Sequence, residues 1–308
     1  MWPTLYTQQT PFGELPYNTW GLMIMFAFLA SALVAGRRVA RVGIDPDIMS
    51  GMVALSAASG LAGARLLHFL MSEDRHAFFK DPLIYFNLSR GGFAFYGGFI
   101  LAGVLGVLYA RSRGADPWKF ADAVGPTVMV GLAVGRLGCF FAGCCHGASF
   151  TLPHDAHALL PADFSGGQLY ALSEFPWLGM VMTKGVGVQD VPVYPTQLWE
   201  AAAAMVIFGI ASLTFRYRKF DGQTMATVLV LYSLWRPVNE SMRGDSVRGT
   251  LDFLGMALTT SQIVSIFVGL TGLAVAAVGM KRGLRPETPW VAPELDGDAD
   301  DLGSAPRL

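Results

Sequence analysis

Seven apolar runs of about twenty residues, each bounded by charged or glycine-rich sequence, constrain this chain more than any other feature. They cover residues 18–36, 48–71, 93–110, 121 to about 141, 195–215, 223 to about 240, and 260–280. At a helical rise of about 1.5 Å per residue, about twenty residues cross a hydrocarbon layer of about 30 Å. A water-soluble alternative would need many more charges. Only 15% of residues are charged and 53% are hydrophobic, against about 25% charged in a globular domain. The expected fold class is therefore an all-α polytopic membrane protein with seven transmembrane helices.

The same composition excludes several functions. A net charge of −1 gives no footprint for nucleic acid. Three cysteines are too few for a disulfide scaffold. Residues 1–16 lack a basic segment followed by an apolar core, so no signal peptide is expected there. No cofactor motif is present, and the spacing C-x4-C-C-H of Cys139, Cys144, Cys145 and His146 matches no common zinc pattern, so no metal is expected.

Basic residues decide the expected orientation. Arg37, Arg38, Arg41, Arg111, Arg113, Lys119, Arg216, Arg218, Lys219, Lys281, Arg282 and Arg285 follow runs one, three, five and seven. The opposite segments hold only Arg75, Lys80, Arg90, Lys184, Arg243 and Arg248. Positive charge is retained on the cytoplasmic side, which puts the N-terminus outside and the C-terminus in the cytoplasm. Residues 142–193, rich in Gly, Pro, His and Asp, read as an extracytoplasmic cap with a strand at 186–193. Residues 72–92 read as a charged loop that can form a short amphipathic helix, and 286–308 as an acidic, disordered tail. The transmembrane domain is thus 1–285.

With orientation set, helical rise converts sequence position into depth. Trp20, Arg65, His68, Tyr96, Arg136, Cys139, Gln197, Glu200, Tyr232, Arg236, Glu240 and Arg243 all fall in the outer leaflet or at its headgroup level. Ionisable groups inside spans are costly and mark function. Arg236, Glu240 and Arg243, spaced four and three apart, share a helix face, as do Gln197 and Glu200. Arg136 comes from another helix. Two arginines meeting across a bundle repel unless an anion separates them. Glu200 or Glu240 can fill that place, and so can a phosphate, which guanidinium binds in two-point fashion. Phosphate at this depth belongs to a phospholipid, which points to a lipid headgroup site open to the outer leaflet. The cysteines read first as small residues packing at a helix end; a disulfide would leave one thiol unpaired.

Several ordered stretches carry a family resemblance. They are Trp20 with the Gly21-Leu22-Met23 that follows, residues 81–83, 91–98, 135–147 and 194–200, and the segment from Tyr232 through Arg243 to Asp245. Together they resemble the bacterial prolipoprotein diacylglyceryl transferases over residues 20 to about 270. The resemblance implies transfer of diacylglycerol from phosphatidylglycerol to the lipobox cysteine of prolipoproteins, with glycerol phosphate released. It implies an enzyme of the bacterial cytoplasmic (inner) membrane whose active site faces the outer leaflet. Its partners are the bilayer, phosphatidylglycerol and prolipoprotein signal peptides. Arg136, Arg236, Tyr96 and Glu240 would be catalytic. Trp20, Cys139, Cys144, Gly147, Gln197, Glu200, Tyr232 and Arg243 would bind substrate. The chain departs from the family pattern at Tyr96, where histidine is usual as the proposed thiol base, and at Cys139 and Cys144, where asparagine and glutamate are usual. Trp20 stands where a tyrosine normally precedes the Gly-Leu-Met. With Tyr96 as an orienting hydroxyl, His146 or His68 is left as a substitute base. Two other readings stay open on these residues: a divergent paralogue that binds phospholipid without transfer, and a thiol-dependent redox or transfer protein using Cys139, Cys144 and Cys145.

Overall fold

The computed structural model describes residues 4–10, 13–71, 95–149, 169–171, 178–182, 191–243, 250–253 and 256–282. Seven helices of 18 or more residues lie among them: α1 (Thr19–Ala40), α2 (Ile48–Met71), α3 (Phe95–Ser112), α4 (Pro117–Ala142), α5 (Thr196–Tyr217), α6 (Gln223–Ser241) and α7 (Thr260–Arg282). Each coincides with an apolar run read from the sequence. Five of them, α1, α2, α4, α5 and α7, are long and apolar enough to cross a membrane; α3 is a shorter apolar helix. The sixth, α6, has lower hydropathy because it carries Arg236, Asn239 and Glu240.

Seven short strands lie among the described residues, where the sequence reading placed one strand, at 186–193, in an otherwise helical chain. Strands β1 (Thr4–Thr10) and β2 (Gly13–Asn18) form a hairpin ahead of α1. Strands β3 (Leu169–Ala171), β4 (Leu178–Met182) and β5 (Val191–Val193) form an antiparallel sheet in order β3-β4-β5. Strands β6 (Thr250–Phe253) and β7 (Met256–Thr259) form a second hairpin before α7. The strand expected at 186–193 is described only as β5. The loop at 72–92, most of the cap between 150 and 190, and the tail at 286–308 lie outside the described residues.

Local sequence sets the helix ends. Asp116 caps α4 by accepting from the backbone N–H of Trp118 (2.9 Å) and Lys119 (3.0 Å), with Pro117 at the first helical position. Gly143 ends α4 with φ 72°, a left-handed stop that costs glycine little. The start of α6 has no cap of its own, since Gly222 lacks a side chain. Asp122 of α4 replaces it, accepting from the N–H groups of Gly222 and Met225 at 2.9 Å each. Arg218 lies 3.7 Å from the same carboxylate.

The tightest neighbours are α1 with α4, α2 with α3, α6 with α7 and α4 with α5. Small residues make the closest approach. A Cβ on Gly97 would collide with the carbonyl of Gly63 and with Leu67, so α2 and α3 touch backbone to backbone. One apolar core gathers Val39, Ile48, Met52, Ala110, Phe120 and Phe215 at one end of the bundle. A second, with Met129, Ala133, Ala204, Ile207 and Val228, joins α4, α5 and α6.

Burial is inverted relative to a soluble protein. The largest fully buried side chains are Arg65, Gln197, Glu200, Val39, Val193, Asn239, Thr127, Thr196, Thr224 and Asp122, of which only Val39 and Val193 are apolar. Leu29, Leu33, Ile100, Leu108, Val206, Leu213, Leu234, Phe267 and Leu273 are exposed. An apolar exterior around a polar interior is the pattern of a bundle solvated by lipid. Two of the basic residues counted for orientation turn inward. Arg38 donates to the Ala123 carbonyl at 3.1 Å and to Ser212 at 3.0 Å and lies over the Phe215 ring, while Arg218 faces Asp122.

Candidate functional site

Three helices bring their charged residues to one point, and Glu200 is its centre. Glu200 lies in the second turn of α5 and is 1% exposed. Its Oε2 is 2.9 Å from Arg136 Nε of α4 and 3.1 Å from Arg236 Nη1 of α6. Asn239 Nδ2 donates to the same oxygen at 2.9 Å, and the Tyr232 hydroxyl donates to Oε1 at 2.9 Å. Of the anions the sequence left open between the two arginines, Glu200 is the one that joins both.

Arg236 is fully engaged. Its Nη2 donates to Glu240 Oε2 at 2.6 Å and to Ser261 Oγ of α7 at 3.2 Å, while Nη1 serves both oxygens of Glu200. The i,i+4 spacing of Arg236 and Glu240 thus produces a direct ion pair, as the helix period requires. Arg136 differs. Its Nε pairs with Glu200, no hydrogen bond or ion pair joins its terminal nitrogens to a described residue, and its side chain is 15% exposed. Two guanidinium groups and two carboxylates leave this cluster close to neutral.

Gln197, one turn before Glu200, turns to a different partner. Its Nε2 donates to the Cys144 carbonyl at 2.7 Å, and Thr196 Oγ1 donates to the Cys145 carbonyl at 3.0 Å. The start of α5 thereby pins the turn after α4. Gln197 Oε1 and Asn239 Oδ1 are buried and accept no hydrogen bond among the described residues. Cys145 is a non-glycine residue with φ 61°. Such backbone costs about 1–3 kcal/mol and persists where its surroundings over-determine it.

The three cysteines converge. Cys139, Cys144 and Cys145 are free thiols, and their sulfurs all lie within 4.8 Å of one another. Cys144 Sγ also lies 3.7 Å from the Cys139 carbonyl oxygen. Hydrogen bonds from Cys139 and Cys144 hold the Cys145 thiol well below the usual range despite its burial, and the charges of Arg243 and Arg136 reinforce this. Hydrogen bonding to Cys139 and Cys145, together with burial, pushes the Cys144 thiol up. The three residues read from the sequence as packing at a helix end thus bring their sulfurs close together.

The other expected site residues divide. Gly147 holds the backbone: its N–H donates to the Tyr194 carbonyl at 2.8 Å and it pairs with Arg243. A Cβ there would lie 2.5 Å from Tyr194 Cβ and 2.8 Å from the Met242 carbonyl oxygen. Trp20 is half exposed at the start of α1, where Trp20 and Met23 pack against Gly138 of α4. His146 Nδ1 is 3.0 Å from the Gly147 carbonyl oxygen. Arg65 stacks on Phe69, and the His68 ring meets the same Phe69 edge-on. The backbone of Tyr96 lies in the first turn of α3; its side chain falls outside the described residues. Asn239 and Ser261 were not singled out from the sequence. Asn239 had a signal, being three residues from Arg236 on the same face; Ser261 had none, because it comes from the next helix.

The sequence is similar to known proteins over most of its length. The model of the family described as prolipoprotein diacylglyceryl transferase matches residues 9–278. The chain is 28% identical over 274 residues to a phosphatidylglycerol–prolipoprotein diacylglyceryl transferase of Bacillus cereus (strain B4264), covering 88% of this chain and 90% of the relative. A protein of the same name from Bacillus anthracis (strain CDC 684 / NRRL 3495) is 28% identical over 284 residues, covering 91% and 93%.

Proposed function

The chain belongs to the prolipoprotein diacylglyceryl transferase family, and from that premise we propose that it transfers the diacylglyceryl group of phosphatidylglycerol to the lipobox cysteine of prolipoproteins. The relatives' names state that substrate pair. The observation that carries the reading to this chain is Arg136: Glu200 holds its Nε at 2.9 Å, while its terminal nitrogens have no hydrogen-bond or ion-pair partner among the described residues and its side chain is 15% exposed. It offers two-point hydrogen bonding to a phosphate.

The reaction forms a bond between the lipobox sulfur and a glycerol carbon, and it breaks the bond from that carbon to phosphate oxygen. The thiol proton passes to water, and glycerol phosphate leaves with the bonding electrons. Arg136 stabilises the negative charge that grows on the leaving phosphate. Arg236 acts through Glu200: it holds the carboxylate that aims Arg136, while Glu240 and Ser261 fix Arg236 in turn. The buried acceptors Gln197 Oε1 and Asn239 Oδ1 suit hydroxyl donors such as those of a glycerol headgroup. Tyr96 takes the place of the family's histidine as an orienting hydroxyl, and the positive field of the arginines favours the thiolate form of the incoming cysteine.

The remaining parts of the proposal follow from the charge pattern. All seven helices cross the membrane, with the N-terminus outside, the C-terminus in the cytoplasm and the 142–193 cap extracytoplasmic. The enzyme then sits in the cytoplasmic (inner) membrane with its site at the outer leaflet, where the bilayer supplies phosphatidylglycerol and secretion delivers signal peptides. The test is to deplete a bacterium of its own transferase, express this chain, and read a reporter prolipoprotein by mass spectrometry. A diacylglyceryl mass increment on the lipobox cysteine is expected. An unmodified reporter, with the chain present and folded in the membrane, would refute the transfer reaction and favour a phospholipid-binding paralogue.

A further inference from the structure

Cys139 and Cys144, which the family resemblance puts among the substrate-binding residues, and Cys145 take no part in the bond-making steps above, and the arrangement of their sulfurs has its own meaning. A cation bound at about 2.3 Å from each sulfur sets sulfur–sulfur separations of about 4 Å. The three sulfurs, all within 4.8 Å of one another, need only small rotations to reach that geometry. Their carrier is already rigid. Gly143 stops α4, the Cys144 N–H donates to the Cys139 carbonyl at 3.1 Å, and Gln197 and Thr196 hold the carbonyls of Cys144 and Cys145. We infer that these three cysteines form a binding site for one thiophilic d10 cation, Zn(II) or Cu(I), bound through three sulfurs.

The electrostatics suit a thiolate complex better than a bare cation. Three thiolates around Zn(II) carry a net charge of −1, and around Cu(I) a net charge of −2. Arg136 lies one helical turn from Cys139, and both Arg136 and Arg243 lower the Cys145 thiol. These arginines repel a free metal ion but balance the excess negative charge of the complex. Binding of the cation by thiolates releases the thiol protons. Soft sulfur ligands without nitrogen or oxygen select Cu(I) and Zn(II) over Mg(II), Ca(II) or Mn(II).

The test uses the full-length protein in lipid nanodiscs, reduced and freed of metal with chelator. It is titrated in one arm with Zn(II) against a chromophoric chelator, and in the other anaerobically with Cu(I). One equivalent should bind in at least one arm, and the bound metal should protect all three cysteines from alkylation, read residue by residue by mass spectrometry. Cys139→Ser, Cys144→Ser and Cys145→Ser should each weaken binding more than about tenfold, since even an outer-shell partner of a metal site is worth about 10–100-fold. Alkylation protection in the unaltered chain keeps the test decisive if a variant fails to fold. Absence of stoichiometric binding in both arms, binding without protection of these cysteines, or a disulfide between any two of them in protein taken directly from the membrane would overturn the inference.

Discussion

Glu200 Oε2 lies 2.9 Å from Arg136 Nε and 3.1 Å from Arg236 Nη1, so one carboxylate oxygen joins α4 to α6 through two guanidinium groups. The oxygen is buried, so each charge depends on the others for the solvation that water would supply.

Glu200→Gln should therefore be the most damaging single change in the cluster. It leaves two arginines facing each other, one of them buried, with Glu240 pairing Arg236 alone among the described residues. Breaking a buried pair by removing one partner costs about 3–5 kcal/mol. Thermal unfolding in detergent should show a large loss of stability, and Arg236→Gln added to the same chain should recover part of it. A Glu200→Gln protein as stable as the parent would show that the pairing carries no weight.

Arg136 and Arg236 should separate in their effects. After Arg136→Ala, Glu200 keeps Arg236, Tyr232 and Asn239, so the fold should survive while turnover falls more than tenfold, the loss expected from one charged hydrogen bond of about 1.5–3 kcal/mol. Arg136→Lys should restore little, because an ammonium has no planar fork. Arg236→Ala leaves Glu200 and Glu240 without their shared cation and should lower stability and turnover together. Parallel measurement of melting and of turnover on reporter prolipoprotein checks both; equal stability losses would contradict the different roles.

Gly147→Ala should disturb the pairing of residue 147 with Tyr194 and Arg243. The added Cβ meets the Met242 and Tyr194 carbonyl oxygens at 2.8 and 2.9 Å, backbone atoms that have no rotamer to escape into. Overpacking of this kind costs about 1–3 kcal/mol. Limited proteolysis should show faster cleavage between α4 and α5, and unchanged protection would mean that the backbone there yields freely.

Cys145 should react at lower pH than an ordinary cysteine. Its thiol is lowered by hydrogen bonds from Cys139 and Cys144, so its thiolate persists below the usual thiol range near about 8.5. Cys144 is shifted the other way. In metal-free protein at mildly acid pH, a thiol-specific alkylating agent should label Cys145 ahead of Cys144, and the two rates should approach each other as pH rises. The reverse order, read by mass spectrometry, would refute the assigned hydrogen-bond direction.

What was legible in the sequence follows from the local character of helices. Apolar runs marked the seven long helices, and the 3.6-residue period paired Arg236 with Glu240 because both lie on one backbone. Helical rise brought Arg136, Glu200, Tyr232 and Arg236 to one depth. Depth alone does not say which side chains touch: that depends on how each helix is rotated about its axis, which is set by contacts such as Gly63 with Gly97 or Met23 with Gly138. Only the tertiary structure decided that Glu200, rather than Glu240, stands between the two arginines. It also decided that Ser261 of α7 supports Arg236, and that Gly147 serves the backbone. The three sulfurs meet for the same reason. Cys139 points from the last turn of α4, while Cys144 and Cys145 are brought back to it by a left-handed turn that Thr196 and Gln197 of another helix hold in place.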